Sequence, residues 1–127
     1  ALDALLVHFS CAGVFAGHKG GPYDEDDRPD SDDAQGQSKA AGEAAIAAAG
    51  GKALIFRLGW VFGARGESFI KTVLRAARDG QPLDLSANEI GSPTPAALVA
   101  TVTGVVLAQL RQGGGLAAHE QRTYHLA

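Results

Sequence analysis

The sequence is poor in sulfur, in basic side chains and in long apolar runs, and each shortage excludes a class of protein. Its 127 residues include one cysteine, Cys11, and no methionine, which excludes an internal disulfide and predicts a reducing, cytoplasmic location. No apolar run reaches the roughly 18 residues of a membrane span, and no signal peptide is recognisable. The net charge of −3 argues against nucleic acid as the main partner. We therefore expect a protein that acts away from membranes and nucleic acids.

Alanine is abundant, and this limits what the core can be built from. Hydrophobic residues make up 46% of the sequence, but 24 residues are alanine, whose burial removes little apolar area from water. The core must therefore depend on leucine, valine, phenylalanine, isoleucine and Trp60. Charged residues at 20% exclude a disordered polyelectrolyte. We predict one domain over residues 1–127, with no internal repeat.

Apolar runs of strand length alternate with helical segments along the chain. Residues 5–9 form a run that ends at Ser10, and residues 53–58 form a run that ends at Gly59 and Trp60, as is typical of buried parallel strands. After these strands, a helix is predicted that begins at Ser68 and ends at Gly80, followed by a short strand at 83–85. A rigid turn is predicted at 92–95, then a helix from Pro95 to about Arg111 and a final strand at 123–126. This alternation predicts an α/β domain with a mainly parallel sheet.

A helix is predicted from about Asp33 to Ala49, directly after a strongly acidic stretch. Residues 24–33 contain seven acids and one basic residue, Arg28, and Pro29 prevents a helix there. One interpretation is a solvated loop whose last acid, Asp33, caps the helix. The other is a site for a hard cation, although the order of acids typical of a calcium loop is absent. We favour the loop and expect no metal site.

Three features point to one cleft. Ser10 ends the first strand, Gln35 and Lys39 lie four residues apart and so share one helix face, and Trp60 follows the second strand. Ligands of open α/β sheets bind at the carboxyl ends of the strands, which predicts that these four residues meet there. Each also has a simpler explanation, since Ser10 can merely end a strand, Lys39 can be solvated, and Trp60 can fill the core.

The order of the segments resembles the dTDP-4-dehydrorhamnose reductase family, which belongs to the extended short-chain dehydrogenases/reductases. The resemblance runs over nearly the whole chain. The motifs that carry it are Val7-His8-Phe9-Ser10, Gly36-x-Ser38-Lys39-x-x-Gly42-Glu43, Phe56-Arg57-x-x-Trp60-Val61-Phe62-Gly63, Gly91-Ser92-Pro93-Thr94-Pro95 and Tyr124-His125-Leu126. It implies a partial Rossmann-like, doubly wound, mainly parallel sheet. It also implies that residues 1–127 contain the later half of the cofactor fold and part of the substrate region. The glycine loop that binds the pyrophosphate is then expected before residue 1.

The resemblance also implies a reaction. The family reduces the C4 ketone of a dTDP-linked 6-deoxy sugar with a nicotinamide cofactor, usually NADPH. A tyrosine gives a proton to the ketone oxygen, and a lysine four residues later holds the nicotinamide ribose and lowers the pKa of that tyrosine. The matching lysine here is Lys39. Ser10, Lys39 and Gly59 correspond to cofactor-binding positions, and Trp60 corresponds to a substrate-binding position.

The sequence departs from the family at positions that carry the chemistry. Gln35 occupies the position of the catalytic tyrosine, Cys11 that of a threonine that binds the ketone oxygen, and Glu89 that of a glutamine. An amide donates hydrogen bonds but has no transferable proton near neutral pH, and a positioned general acid is typically worth about 10²–10⁴ in rate. The sequence therefore predicts an impaired reductase.

Two other functional hypotheses remain beside an impaired or partial reductase. A reductase-like protein can keep the scaffold and bind without catalysis, as in the regulatory beta subunit of methionine adenosyltransferase. A divergent sugar-nucleotide enzyme, such as an epimerase, can use another acid. Gln35 favours the binding protein over the divergent enzyme. An oligomer is compatible with each hypothesis.

Overall fold

A computed structural model of the chain describes residues 4–86, 89–117 and 120–127. It has five strands, β1 (Leu5–Cys11), β2 (Lys52–Leu58), β3 (Trp60–Phe62), β4 (Pro93–Pro95) and β5 (Gln121–Leu126). Three helices, α1 (Ala34–Ala49), α2 (Phe69–Arg78) and α3 (Ala96–Gln112), lie between them, and a short 3₁₀ turn (Ala12–Val14) follows β1. The alternation of strands and helices is the predicted α/β order.

The main sheet has three strands in the order β1-β2-β5, all parallel. Phe9 of β1 stands beside Phe56 of β2, which stands beside Tyr124 of β5. The three rings stack across the sheet with centroids 6.1 Å and 5.9 Å apart. Because the strands are parallel and adjacent, their carboxyl ends lie at the same end of the sheet. The sequence predicts the ligand cleft at this end.

Helices cover both faces of the central strand, as the doubly wound prediction requires. Leu54 and Phe56 are nearly fully buried, and the α3 residues Val106, Leu107 and Leu110 lie against the cluster they form. Arg57, which points to the opposite face because side chains alternate along a strand, bonds to Glu43 of α1. The small, alanine-rich surface of α1 lets it approach the sheet closely.

The helix boundaries follow the predicted caps. The carboxylate of Asp33 accepts hydrogen bonds from the backbone N–H groups of Gln35 and Gly36, and the hydroxyl of Ser68 accepts one from Lys71. Gly50 ends α1 in a left-handed conformation with φ of 67°, which glycine adopts without strain. These signals are local in sequence, so they could be recognised before the fold was known.

Three predictions about the region after β2 were wrong. Residues 83–85, although described, form no strand. The predicted turn at 92–95 is instead largely the strand β4, which pairs in parallel with β3, a strand that was not predicted. Proline favours extended backbone in itself and in the residue before it, so Pro93–Pro95 can form a short edge strand. Pro95 is the cap of α3 rather than its first residue.

Candidate active-site cleft

A cleft of about 580 Å³ opens at the carboxyl ends of β1 and β2. Its walls come from the turn after β1, the start of α1, the junction between β2 and β3, and the segment 89–92. Of the residues singled out from the sequence, Cys11, Gln35, Gly59 and Trp60 line it. The structure thus brings together residues that are up to 49 positions apart in sequence, as expected from the sheet topology.

The start of α1 is fixed against the turn after β1. A Cβ atom on Gly36 would lie 2.0 Å from the carbonyl oxygen of Gly13 and 2.1 Å from the hydroxyl oxygen of Ser31, so no larger residue fits without movement of the backbone. This contact presents Gln35, the residue just before Gly36, to the cleft. The position of Gln35 is therefore set by tight packing of backbone on backbone.

Trp60 is held at the cleft by contacts on two sides. Its backbone N–H donates to the Ser92 carbonyl at 2.8 Å, and its ring meets Phe69 edge to face at a centroid distance of 4.9 Å. A Cβ atom on Gly91 would lie 2.3 Å from the indole, so the backbone of the 89–92 segment rests on the ring. The small β3–β4 sheet therefore positions Trp60 as a wall of the cleft.

Lys39 and Ser10 lie near the cleft without lining it. The Lys39 ammonium donates to the Phe9 carbonyl of β1 at 3.4 Å, one helical turn beyond Gln35. Ser10 is buried, with 3% of its surface exposed, and stands on the face of the sheet that α1 covers. Side-chain alternation along β1 therefore sends Ser10 away from the cleft and its neighbour Cys11 into it.

A buried ion pair lies between α1 and β2. The Arg57 guanidinium donates to both carboxylate oxygens of Glu43, with the shortest bond at 2.7 Å, and the two side chains are 6% and 8% exposed. Burial raises the pKa of Glu43, but the Arg57 hydrogen bonds, the Ser10 hydroxyl and the charges of Arg57 and His8 outweigh it. The net pKa lies below its usual 4.5.

Arg57 also anchors the loop that follows β1. Its guanidinium donates to the Glu25 carbonyl at 3.2 Å and lies 5.0 Å from the ring centre of Phe15. The backbone N–H of His125 donates to the Glu25 carboxylate at 2.9 Å, and this bond is the main reason that the pKa of Glu25 falls. Phe15 stacks on Tyr23 and also lines the cleft. One arginine thus ties the loop, β5 and a cleft wall to the core.

The acidic stretch 24–33 is largely exposed and makes its contacts within the protein. The Lys19 ammonium bonds to Asp24 and Asp27, and this cation is the first cause of the lowered pKa of Asp27. No group of three or more metal-ligating side chains converges among the described residues. Several of these acids thus have partners within the protein, either basic side chains such as Lys19 and His18 or backbone N–H groups.

The charges on the cleft wall have one sign. Asp33 and Glu89 line it, while the described lining includes no lysine, arginine or histidine. The N–H of Gly36, the Ser31 hydroxyl and the N–H of Gln35 donate to Asp33 and hold its pKa below the usual 3.8. Asp33 is therefore a charged carboxylate near neutral pH. The cleft is acidic.

Several residues that shape this site were not predicted from the sequence. Asp33 was considered only as a helix cap, and Glu89 only as a departure from the family pattern. The pairing of Glu43 with Arg57 was also missed, although Glu43 is the one acidic residue of α1 and Arg57 is the one charge within the apolar run 53–58. Such isolated charges of opposite sign are the signal that predicts a buried pair.

Comparison with known proteins gives a consistent result. The family model described as the RmlD substrate binding domain matches residues 1–127. The chain is 39% identical over 125 residues to the dTDP-4-dehydrorhamnose reductase of Burkholderia thailandensis, covering 98% of this chain and 42% of that protein. It is 39% identical over 93 residues to the spore coat polysaccharide biosynthesis protein SpsK of Bacillus subtilis, covering 73% of this chain and 33% of that protein. The chain thus spans less than half the length of these relatives.

Solved structures agree with the sequence comparison. The dTDP-4-dehydrorhamnose reductase of Bacillus anthracis, in complex with NADP, matches with a TM-score of 0.79 and 30% identity, over 98% of this chain and 41% of that chain. The orthologue from Clostridium acetobutylicum matches with a TM-score of 0.79 and 27% identity over the same shares. No helix among the described residues has the length and apolar character needed to cross a membrane. Since the family model spans every residue and the parallel α/β fold is shared, this chain belongs to the dTDP-4-dehydrorhamnose reductase family.

Proposed function

We propose that the chain forms the nicotinamide-facing and sugar-facing part of a reductase site for dTDP-linked 4-dehydro-6-deoxy sugars, and that proton transfer in this site is impaired. In this proposal residues 1–127 act as one unit, in a reducing, cytoplasmic environment suited to the single cysteine. The observation that carries it is the presence of Gln35 and Cys11 together on the wall of the cleft, with Lys39 one helical turn further along α1.

The chemistry of these two side chains supports impairment. The Gln35 amide can hydrogen-bond to a ketone oxygen, but it cannot release a proton to it near neutral pH. The Cys11 thiol is a weaker hydrogen-bond donor than the threonine hydroxyl of the family. Lys39 keeps its position beside β1, where it would hold a ribose hydroxyl. The site therefore orients a substrate but lacks the proton donor, which is typically worth about 10²–10⁴ in rate.

The described residues fit one end of NADPH. A cleft of about 580 Å³ bordered by Trp60 has room for a nicotinamide ring and the ketone end of a sugar. When bound, the cofactor supplies hydride to the ketone carbon. The cofactor's phosphates need backbone N–H groups or basic side chains, and the described cleft wall includes no lysine, arginine or histidine. We propose that Trp60 orients the ring end and that the phosphates bind outside these residues.

A binding protein without catalysis is the second candidate, and Gln35 is the observation that favours it. A glutamine can form hydrogen bonds to a ligand in both directions, as a donor and as an acceptor. In that case the cleft holds a nucleotide sugar or cofactor that is never turned over. Tight binding with no product distinguishes this candidate from a slow reductase.

The test uses a chimera in which these residues replace the matching segment of the Burkholderia thailandensis reductase. We expect slow oxidation of NADPH with dTDP-4-dehydro-6-deoxyglucose or its epimers. We also expect Gln35→Tyr combined with Cys11→Thr to raise kcat by about 10²–10⁴, the usual worth of a general acid. The control is Gln37→Tyr, which introduces the same side chain at an exposed α1 position outside the described cleft wall.

Two outcomes would refute the proposal in different ways. If the unmodified chimera is as fast as the double variant, another residue supplies the proton and the site is not impaired. If neither chimera turns over although both bind NADPH, the segment does not support reduction, and the binding candidate is favoured.

A further inference from the structure

The acidic wall of the cleft affects which ligands bind there, according to the charge of the ligand. Asp33 and Glu89 are the charged residues of the described lining, and they face a space bordered by the Trp60 indole. Opposite charges attract and like charges repel with an energy that falls as the inverse of distance. A carboxylate or phosphate placed beside Trp60 would therefore be repelled, and a cation would be attracted.

The helix terminus that could have offset this charge is already occupied. The first N–H groups of a helix favour anions, and the start of α1 lies on the cleft wall. However, the N–H groups of Gln35 and Gly36 donate to Asp33 at 2.8 Å and 2.9 Å. Lys39, the cation predicted for this site, donates to the Phe9 carbonyl instead. The described lining of the cleft therefore contains no positive side chain to balance its two carboxylates.

We propose that Glu89 is a specificity-determining residue that makes the cleft select a planar ring that is neutral or cationic and reject an anionic one. Asp33 is committed to capping α1, whereas Glu89 is exposed and has no such structural role among the described contacts. Aromatic faces such as that of Trp60 also attract cations. This inference rests on the proposed use of the cleft as a ligand site, but it does not depend on catalytic turnover.

The test compares three single-ring probes of nearly equal shape. They are 1-methylnicotinamide (cationic), nicotinamide (neutral) and nicotinate (anionic). Trp60 is the one tryptophan in the chain, so the single indole N–H resonance of the ¹⁵N-labelled protein reports binding at the cleft. We expect the cation to bind more tightly than the neutral ring, and the anion to bind most weakly, with Kd values for anion and cation differing about tenfold at low salt.

Glu89→Gln removes the charge and keeps the shape of the side chain. We expect the Kd ratio of anion to cation to fall to about threefold or less, since the Asp33 charge remains. The control is Glu67→Gln, the same substitution at an exposed residue of another surface, where it pairs with Arg75. This control should leave the ratio unchanged. A second check that needs no variant is ionic strength, because added salt should compress the ratio in the unmodified chain.

Three results would overturn the inference. They are no shift of the Trp60 resonance with any probe, equal affinity for the three probes, and a charge preference that survives Glu89→Gln. None of these results depends on NADPH oxidation by the chimera, so a failure here and a failure of the proposed reductase function can be told apart.

Discussion

Replacing Glu43 by glutamine is expected to destabilise the fold by about 3–5 kcal/mol, the usual cost of removing one partner of a buried ion pair. The substitution keeps the size of the side chain and one of its two acceptor oxygens, but it removes the charge. Arg57 would remain 6% exposed at its side chain, with the Glu25 carbonyl and the His125 ring as its other polar neighbours. The guanidinium would thus be a buried charge with no carboxylate hydrogen-bonded to it.

The magnitude follows from the geometry. Two Arg57 N–H groups reach Glu43: the Nε–H is shared between both carboxylate oxygens at 3.1 and 3.2 Å, and an Nη2–H donates at 2.7 Å. Hydrogen bonds to charged groups contribute about 1.5–3 kcal/mol each. Since domains of this size have total stabilities of about 5–15 kcal/mol, the variant should lose a large share of its stability.

The assay is urea unfolding followed by far-UV circular dichroism, with Glu67→Gln as the matched control. Glu67 and Arg75 form an ion pair whose side chains are 73% and 54% exposed, and exposed pairs contribute about 0–1 kcal/mol. The double variant Glu43→Leu/Arg57→Met should be close to neutral, since it removes both charges and fills the same space. If Glu43→Gln costs no more than Glu67→Gln, the pair is not buried as described and the reasoning fails.

Two further predictions concern acid stability and helix packing. The pKa of Glu43 is lowered on folding, so the stability that this carboxylate contributes is present above its usual pKa of 4.5 and is lost as pH falls through the lower folded-state pKa. The free energy of unfolding should therefore depend less steeply on pH in that acidic range in Glu43→Gln than in the unmodified chain. An unchanged slope would refute the assignment. Gly36→Ala should cost about 1–3 kcal/mol, because its Cβ would lie 2.0 Å from the Gly13 carbonyl and the backbone must shift. Gly104→Ala, in α3 with nothing within 4 Å of the added Cβ, should instead stabilise the chain by about 0.5–1 kcal/mol; equal effects in urea titrations of the two variants would contradict this packing.

The sequence by itself determined the order of the main-sheet strands and the three helices, the caps of α1 and α2, and the family. Asp33 and Ser68 could be predicted as caps because a cap acts on N–H groups two or three residues away. The strands around Val7 and Ile55 were recognisable as short apolar runs bounded by small or polar residues. Only β2 is the fully buried strand that such a run predicts, since Leu6 and Phe9 of β1 are 48% and 42% exposed. The motif around Trp60 carried the family resemblance for a similar reason, since it is a contiguous stretch whose residue types can be compared directly.

Only the tertiary structure decided which of the predicted site residues face the cleft. Cys11 and Ser10 are neighbours in sequence, yet the pleat of β1 sends one into the cleft and buries the other under α1. The pairing of β3 with β4 joins segments about 30 residues apart, which local propensity does not encode. The acidic wall is likewise a product of folding, since Asp33 and Glu89 share it only because α1 and the 89–92 segment converge at the carboxyl ends of the strands.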